Sequence, residues 1–329
     1  MVVTFVEDQS AALALWRTSG GDALTLAAVG PNLSLFSEEL ELIESRTLGE
    51  ARIVRLATMS NHASAFVACA DGSLGFVGTT GGRLSESLQQ VAPATADGVS
   101  ESALDADIHK SGHLATVLLN STSGGSVVLA DTQRDSVIGR IPLGQTGTPN
   151  AVRLVDNSVV AVGSAVVSLF DVRTAQCKAG VASRILTTSE KGRVCVSLDS
   201  DGSGALVGGD SSGAIWLWDT RHSTASVKHV HAHAGAVLSL SLGGGTVASA
   251  SADGSVSLWT ALADQPIRKK SRKLLLEMGD AGQLKRCAVQ GSGSATAVCL
   301  EDSTSSSDRQ LAYVTDTGVL VRSSLAEWA

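Results

Sequence analysis

Three histidines, His229, His231 and His233, lie two residues apart. On a β-strand this spacing points all three side chains to one face, where their ring nitrogens could bind zinc or copper. No cysteine or carboxylate with suitable local spacing accompanies them. We therefore interpret the histidines as structural and expect no metal and no other cofactor, with a metal-dependent enzyme as the distant alternative.

Residues 209–213 read Gly-Asp-Ser-Ser-Gly, a segment similar to the one that carries the nucleophile of serine proteases. A nucleophilic serine needs a histidine base and an acid that orients the histidine. No neighbouring feature supplies either group, and the last glycine of the segment opens a strand. We interpret the segment as a turn and predict a protein without catalytic residues, not an enzyme.

Five basic residues occupy six consecutive positions: Arg268, Lys269, Lys270, Arg272 and Lys273. Such a run is recognised by nuclear import machinery or binds an acidic partner, and it is also typical of a solvated loop. The whole chain has 25 basic and 32 acidic residues, a net charge of −7. This balance weighs against nucleic-acid binding as the main role of the surface.

Two short elements pair an acid with a base: Asp171 is followed by Arg173, and Asp219 by Arg221. Each element comes at the end of an apolar strand pattern. The arginines either form salt bridges at the edge of the fold or contact a partner protein.

The strands that must position these groups repeat along the chain. Residues 213–219 and 254–260 both begin at a turn glycine, alternate like half-buried strands and place a tryptophan five residues later. Weaker copies of the pattern occur at 31–36, 72–77, 125–130, 165–170 and 318–323. The residues five positions after the start of each copy are 36, 77, 130, 170, 218, 259 and 323, and they lie 41, 53, 40, 48, 41 and 64 residues apart. A four-stranded propeller blade takes about 40 to 45 residues. Another short apolar strand precedes each copy, so the pattern predicts seven consecutive hairpins.

Composition agrees with an all-β protein. The 329 residues include 34 glycines but 5 prolines, which favours tight turns over long helices and proline-rich linkers. Hydrophobic residues make up 43% of the chain, enough for a large core, and no apolar run is long enough to span a bilayer. The five cysteines are scattered, and the first residues do not resemble a secretory signal. We expect an intracellular protein, in the nucleus or at its envelope or in the cytoplasm.

The segment from 194 to 260 resembles a WD40 repeat protein. In residues 231–259 the family's histidine, serine, turn aspartate and tryptophan align with His233, Ser249, Asp253 and Trp259. The resemblance implies that these four side chains form a buried hydrogen-bonded network within a blade. Their role would be structural.

The resemblance implies that residues 1–329 form a single seven-bladed β-propeller. A strand at 2–6 would close the ring by pairing with C-terminal strands at 311–314 and 319–322, since closure removes exposed sheet edges. Loop insertions are predicted around 91–104, 265–273 and 301–309. The segment 38–45 reads as a short helix or as the outer strand of blade one, and the propeller register favours the strand.

No set of catalytic groups converges in the sequence, so we expect a non-catalytic scaffold for protein–protein interaction. The last 160 or so residues are similar to the small propeller nucleoporins of the nuclear pore outer-ring (Y) complex. That similarity implies docking onto a helical-solenoid partner, with no membrane insertion and no sequence-specific nucleic acid. The Trp-Asp-x-Arg element at 218–221 instead resembles the one that substrate receptors of cullin-4 ubiquitin ligases use to bind their adaptor.

Overall fold

A computed structural model of the chain shows seven antiparallel sheets of four strands each, and the predicted seven-bladed β-propeller is confirmed. The structure describes residues 2–4, 11–17, 23–58, 64–80, 83–90, 101–121, 124–143, 148–174, 179–186, 193–221, 228–260, 283–288, 294–300, 309–316 and 319–325. Within these ranges there is no α-helix. No described segment therefore has the length and hydropathy of a membrane-crossing helix.

Each of the first four blades uses four consecutive strands. Blade one consists of β2 (Ala11–Arg17), β3 (Ala23–Val29), β4 (Asn32–Phe36) and β5 (Leu42–Thr47). Blade two consists of β6 (Ile53–Thr58), β7 (Ser64–Cys69), β8 (Ser73–Thr80) and β9 (Arg83–Gln90). Blade three consists of β10 (Ser102–Ile108), β11 (Leu114–Ser121), β12 (Gly124–Asp131) and β13 (Ser136–Pro142). Blade four consists of β14 (Ala151–Leu154), β15 (Val159–Gly163), β16 (Val167–Asp171) and β17 (Arg184–Leu186).

The remaining three blades complete the ring. Blade five consists of β18 (Cys195–Ser200), β19 (Ala205–Asp210), β20 (Ala214–Asp219) and β21 (Lys228–His231). Blade six consists of β22 (Val237–Gly243), β23 (Thr246–Ser251), β24 (Ser255–Thr260) and β25 (Gln283–Ala288). Blade seven combines β26 (Ala295–Leu300), β27 (Gln310–Thr315) and β28 (Val319–Ser324) with the N-terminal β1 (Val2–Thr4).

The first strand of every blade contacts the first strand of the next, and β26 contacts β2, so the seven strands form a closed circle around a channel. The core lies between blades because successive side chains of a strand face opposite neighbours. In β20, Trp216 and Trp218 pack toward blade four, whereas Ile215 and Leu217 pack toward blade six.

The ring closes through the N-terminal strand, as predicted. Val3 of β1 is paired with Leu320 of β28 in an antiparallel register. One detail of the prediction was wrong: the C-terminal segment supplies three strands of this blade, because β26 is present in addition to β27 and β28.

In blades two, five and six a turn glycine separates the second and third strands, as the sequence pattern predicts. Gly213 and Gly254 have φ of +92° and +77°, in the left-handed region that glycine adopts without a steric cost. A Cβ atom on Gly213 would also overlap the carbonyl group of His233. The turn therefore requires glycine for two separate reasons.

The strand interpretation of 38–45 is correct from Leu42 onward, where β5 begins, while 38–41 form a turn. The insertion predicted at 91–104 ends earlier than expected, since β10 begins at Ser102. Residues 91–100 and 301–308 and the whole of 265–273 lie outside the described residues.

Candidate interaction surface

The two Asp–Arg elements occupy equivalent positions on neighbouring blades. Asp171 ends β16 and Asp219 ends β20, so both elements lie on the face of the ring where the third strands end. Each arginine binds its own aspartate through two hydrogen bonds. Nε and Nη2 of Arg173 lie 2.9 and 2.7 Å from Oδ1 and Oδ2 of Asp171, and the distances between Arg221 and Asp219 are 2.9 and 3.1 Å.

This side-on pairing uses the same two nitrogens in both arginines and leaves Nη1 of each without a partner among the described residues. The side chains of Arg173 and Arg221 are 70% and 58% exposed. The Arg173 guanidinium also holds the pKa of Asp171 below its usual range. Two cationic donors are thus held in a fixed orientation at the surface, each with an N–H group that can bind an external acceptor.

The tryptophan of the Trp-Asp-x-Arg element is not available to a partner. Trp218 is buried in the core between blades four and five. Thr220 is buried as well, and its hydroxyl donates to the Gly204 carbonyl at 2.9 Å. Of this element, Arg221 alone presents most of its side chain to solvent.

Three of the four residues aligned with the WD40 network come together in blade six. The buried His233 ring lies between two hydroxyls, with Nε2 2.7 Å from Ser249 Oγ and Nδ1 2.7 Å from Ser255 Oγ. Asp253 accepts a hydrogen bond from the Ser255 hydroxyl at 2.5 Å and one from the Ala234 amide at 2.8 Å. Burial acts to raise the pKa of Asp253, but these hydrogen bonds outweigh it and hold the pKa below its usual value.

Trp259 is not part of this network, contrary to the alignment. Its indole nitrogen is inaccessible to solvent and has no hydrogen-bond partner in the part of the chain that the structure describes. The serine that completes the network, Ser255, was not predicted.

Blade five contains a tryptophan–aspartate pair that the sequence analysis missed. The Trp216 indole N–H donates to Asp210 Oδ2 at 3.1 Å, and the other carboxylate oxygen, Oδ1, accepts from Ser212 and from the Ala214 amide. The signal was present in the sequence, since Asp210 comes directly before the turn and Trp216 is two residues upstream of the repeated tryptophan.

The three histidines do not assemble into one site. His229 stacks on the buried Trp216 ring with a centroid distance of 4.1 Å, and the centroids of His229 and His231 are 6.4 Å apart. His233 faces the interior of blade six instead. Among the described residues, no three histidine, cysteine or acidic side chains are placed to hold a metal ion.

The channel contains a charged cluster that the sequence did not reveal. Arg153 of β14 is buried and reaches both neighbouring blades, with 2.6 Å from its Nη1 to Asp105 Oδ2 and 3.4 Å from its Nε to Asp199 Oδ1. Arg55 Nη2 lies 3.8 Å from the same Asp199 oxygen. Burial opposes the charge of Arg153, but the surrounding carboxylates hold its pKa above the usual value.

Asp105 and Asp199, together with Asp107 of β10, also join the blades by accepting hydrogen bonds from backbone amides. Asp105 accepts from the Val152 amide at 3.0 Å, Asp107 from the Leu154 amide at 2.8 Å, and Asp199 from the Leu242 amide at 2.6 Å. Cavities of about 190 and 150 Å³ lie in the channel, and Arg55 lines both. The cluster thus holds the inner strands of blades two to six together.

The basic run from Arg268 to Lys273 lies outside the described residues, so its contribution to a surface stays a prediction.

The fold defines the class: the chain is a seven-bladed β-propeller. No family model and no curated protein matches its sequence. Among solved structures it is similar to Raptor from Chaetomium thermophilum, with a TM-score of 0.73 and 10% sequence identity. The match covers 98% of this chain and 28% of Raptor. At this identity the similarity shows the fold, and the chain spans less than a third of that protein.

Proposed function

We propose that the protein is a non-catalytic scaffold for protein–protein interaction and a subunit of a multiprotein assembly inside the cell. The observation that carries this proposal is the pair of Asp–Arg elements on blades four and five. Because each guanidinium is already oriented by its aspartate, a partner's carboxylate or carbonyl can bind it with little further loss of side-chain entropy.

The assembly we propose is the outer-ring Y complex of the nuclear pore, which places the protein at the nuclear envelope. Support comes from the order and spacing of the motifs in the last 160 or so residues, which resemble those of small propeller nucleoporins. In this assembly the propeller docks onto an elongated helical-solenoid partner and needs neither a cofactor nor direct contact with nucleic acid.

A specific observation favours a second candidate, a substrate receptor of a cullin-4 ubiquitin ligase. Blade five has the complete Trp-Asp-x-Arg element, and Arg221 is its exposed member. Blade four has Phe170 in place of the tryptophan but the same Asp–Arg geometry. Arg173 is therefore a matched control for Arg221.

The two candidates are separated by affinity purification of the full chain and quantitative mass spectrometry of its partners, using wild type, Arg221→Ala and Arg173→Ala. Recovery of nucleoporins supports the pore scaffold. Recovery of the cullin-4 adaptor, lost in Arg221→Ala and retained in Arg173→Ala, supports the ligase receptor. If every partner persists in the double variant, the Asp–Arg surface is not the binding site.

A further inference from the structure

The outer strand of blade one presents two consecutive apolar side chains to solvent. β5 is the outermost strand of its sheet, so one of its edges has no strand partner within the described structure. Leu42 is 58% exposed and Ile43 is 45% exposed. The pairing with β4 skips Ile43, so a β-bulge lies between Leu42 and Glu44.

The turn that leads into this strand is acidic. Glu38, Glu39 and Glu41 are exposed, and none has a cationic partner in the described part of the chain. The Ser37 hydroxyl accepts hydrogen bonds from the Glu39 and Glu41 amides, each at 3.2 Å. The Ser37 hydroxyl also donates to Glu39 Oε2 at 3.1 Å. These bonds fix the turn that immediately precedes the two exposed aliphatic residues.

A buried leucine anchors the same turn. Leu40 has φ of +59°, a conformation that costs a non-glycine residue roughly 1–2 kcal/mol. Its side chain packs into the core between blades one and seven, beside Phe36 and Leu320. The strained backbone is thus kept in place by burial, so a ligand meets a preformed surface.

The neighbouring edge of blade two is protected, in contrast to that of β5. Leu84 of β9 donates its amide to Glu44 Oε2 at 2.7 Å and accepts at its carbonyl from Arg46 Nη1 at 3.0 Å. Side chains of β5 thereby occupy the backbone amide and carbonyl of Leu84 on β9, so these groups cannot pair with another chain. The edge of β5 itself has no such cover in the described structure.

We propose that the outer edge of blade one, from Ser37 to Thr47, is a docking site for an extended segment of a partner protein that carries lysine or arginine beside aliphatic residues. Three carboxylates that have no cationic partner among the described residues specify the charge of that segment, and Leu42 and Ile43 specify its apolar side chains. The site lies across the ring from the Asp–Arg elements of blades four and five, so a scaffold could hold two partners at once.

The probe for this proposal is a fluorescent synthetic peptide of ten residues that alternates lysine with valine or leucine, measured by anisotropy against the full chain. Two variants test the site: Glu38→Lys with Glu41→Lys, and Leu42→Ser with Ile43→Ser. The matched control is Val137→Ser with Ile138→Ser on β13, an outer strand whose residues are 46% and 60% exposed and which also carries a bulge. All these side chains are exposed, so folding is retained.

Each blade-one variant is expected to weaken binding about tenfold, whereas the β13 variant and Arg221→Ala change it less than about twofold. Peptides that alternate lysine with serine, or glutamate with leucine, bind at least about tenfold more weakly. The proposal is overturned if no binding is measured, if the lysine–serine peptide binds equally well, or if the β13 variant loses as much. Two further outcomes overturn the proposal because they show that this chain itself occupies the site. One is that the peptide binds only after the basic residues of 268–273 are neutralised. The other is that the protein is a dimer and Leu42→Ser dissociates it.

Discussion

Removal of Arg153 tests whether the channel cluster stabilises the ring. At an effective dielectric constant near 20, its contacts with Asp105 at 2.6 Å and Asp199 at 3.4 Å correspond to gross attractions of about 6 and 5 kcal/mol. Most of this offsets the cost of burying the charges. Arg153→Met leaves both carboxylates and Asp107 in the channel with Arg55 as the nearby cation, so we expect a net loss of about 3–5 kcal/mol.

The loss is measured by urea unfolding at pH 7, followed by tryptophan fluorescence and by circular dichroism. Arg134→Met is the matched control, because Arg134 is exposed and lies 3.8 Å from Asp131. It should change the free energy of unfolding by no more than about 0.5 kcal/mol. Adding Asp105→Asn to Arg153→Met should restore part of the stability, since one unpaired carboxylate is removed. A loss below about 1 kcal/mol for Arg153→Met, or one equal to that of the control, would refute the reasoning.

Three further predictions concern single positions. Trp216→Phe should cost about 1–3 kcal/mol more in unfolding free energy than Trp259→Phe, because the first indole has a buried acceptor and the second has none among the described residues; equal costs would contradict this. Gly213→Ala should lower the melting temperature more than Gly49→Ala, since both have positive φ but a Cβ atom on Gly49 meets nothing within 4 Å; equal shifts would show that backbone conformation alone decides. Burial holds the pKa of Asp107 above its usual 3.8, so the folded state resists ionisation of this carboxyl more than the unfolded state does. Urea unfolding should therefore show wild type losing stability relative to Asp107→Asn as pH rises from about 4 to 7. Parallel curves for the two proteins would show that the carboxyl is well solvated.

The architecture could be predicted because its signals are local. A turn glycine followed by five alternating residues specifies a hairpin, and seven such hairpins specify a ring. The two best copies, at 213–219 and 254–260, have the geometry that the pattern implies.

The hydrogen-bond networks were less predictable because they depend on which face each residue occupies. Trp216 and Trp218 share a face of β20, yet Trp216 alone is bonded to Asp210. In blade six, Ser257 stands at the position of Trp216, and Trp259, which aligns with Trp218, has no acceptor among the described residues. Residues two positions apart on a strand face the same side, so sequence spacing does not show which of them is bonded to a given acceptor.

Apart from Arg153, whose strand is regular, the members of the channel cluster could not be found from alternation. In five of the seven blades the first strand has a bulge near its start, as between Ile53 and Arg55 or between Ala103 and Asp105. A bulge reverses the facing of every residue that follows it. Arg55 and Asp105 follow such bulges and therefore face the channel. In a regular strand the adjacent residues would face it instead.

Because closure uses β1, we expect blade seven to be the last part of the molecule to assemble. Val3 pairs with Leu320, and contacts so distant in sequence form late because the intervening chain must first be ordered. During synthesis β1 has no strand to pair with until β28 is made. Until then the side of blade six that packs against blade seven stays exposed. A chaperone that shields that side until β26–β28 emerge would raise the yield of native protein more than one acting on any single hairpin.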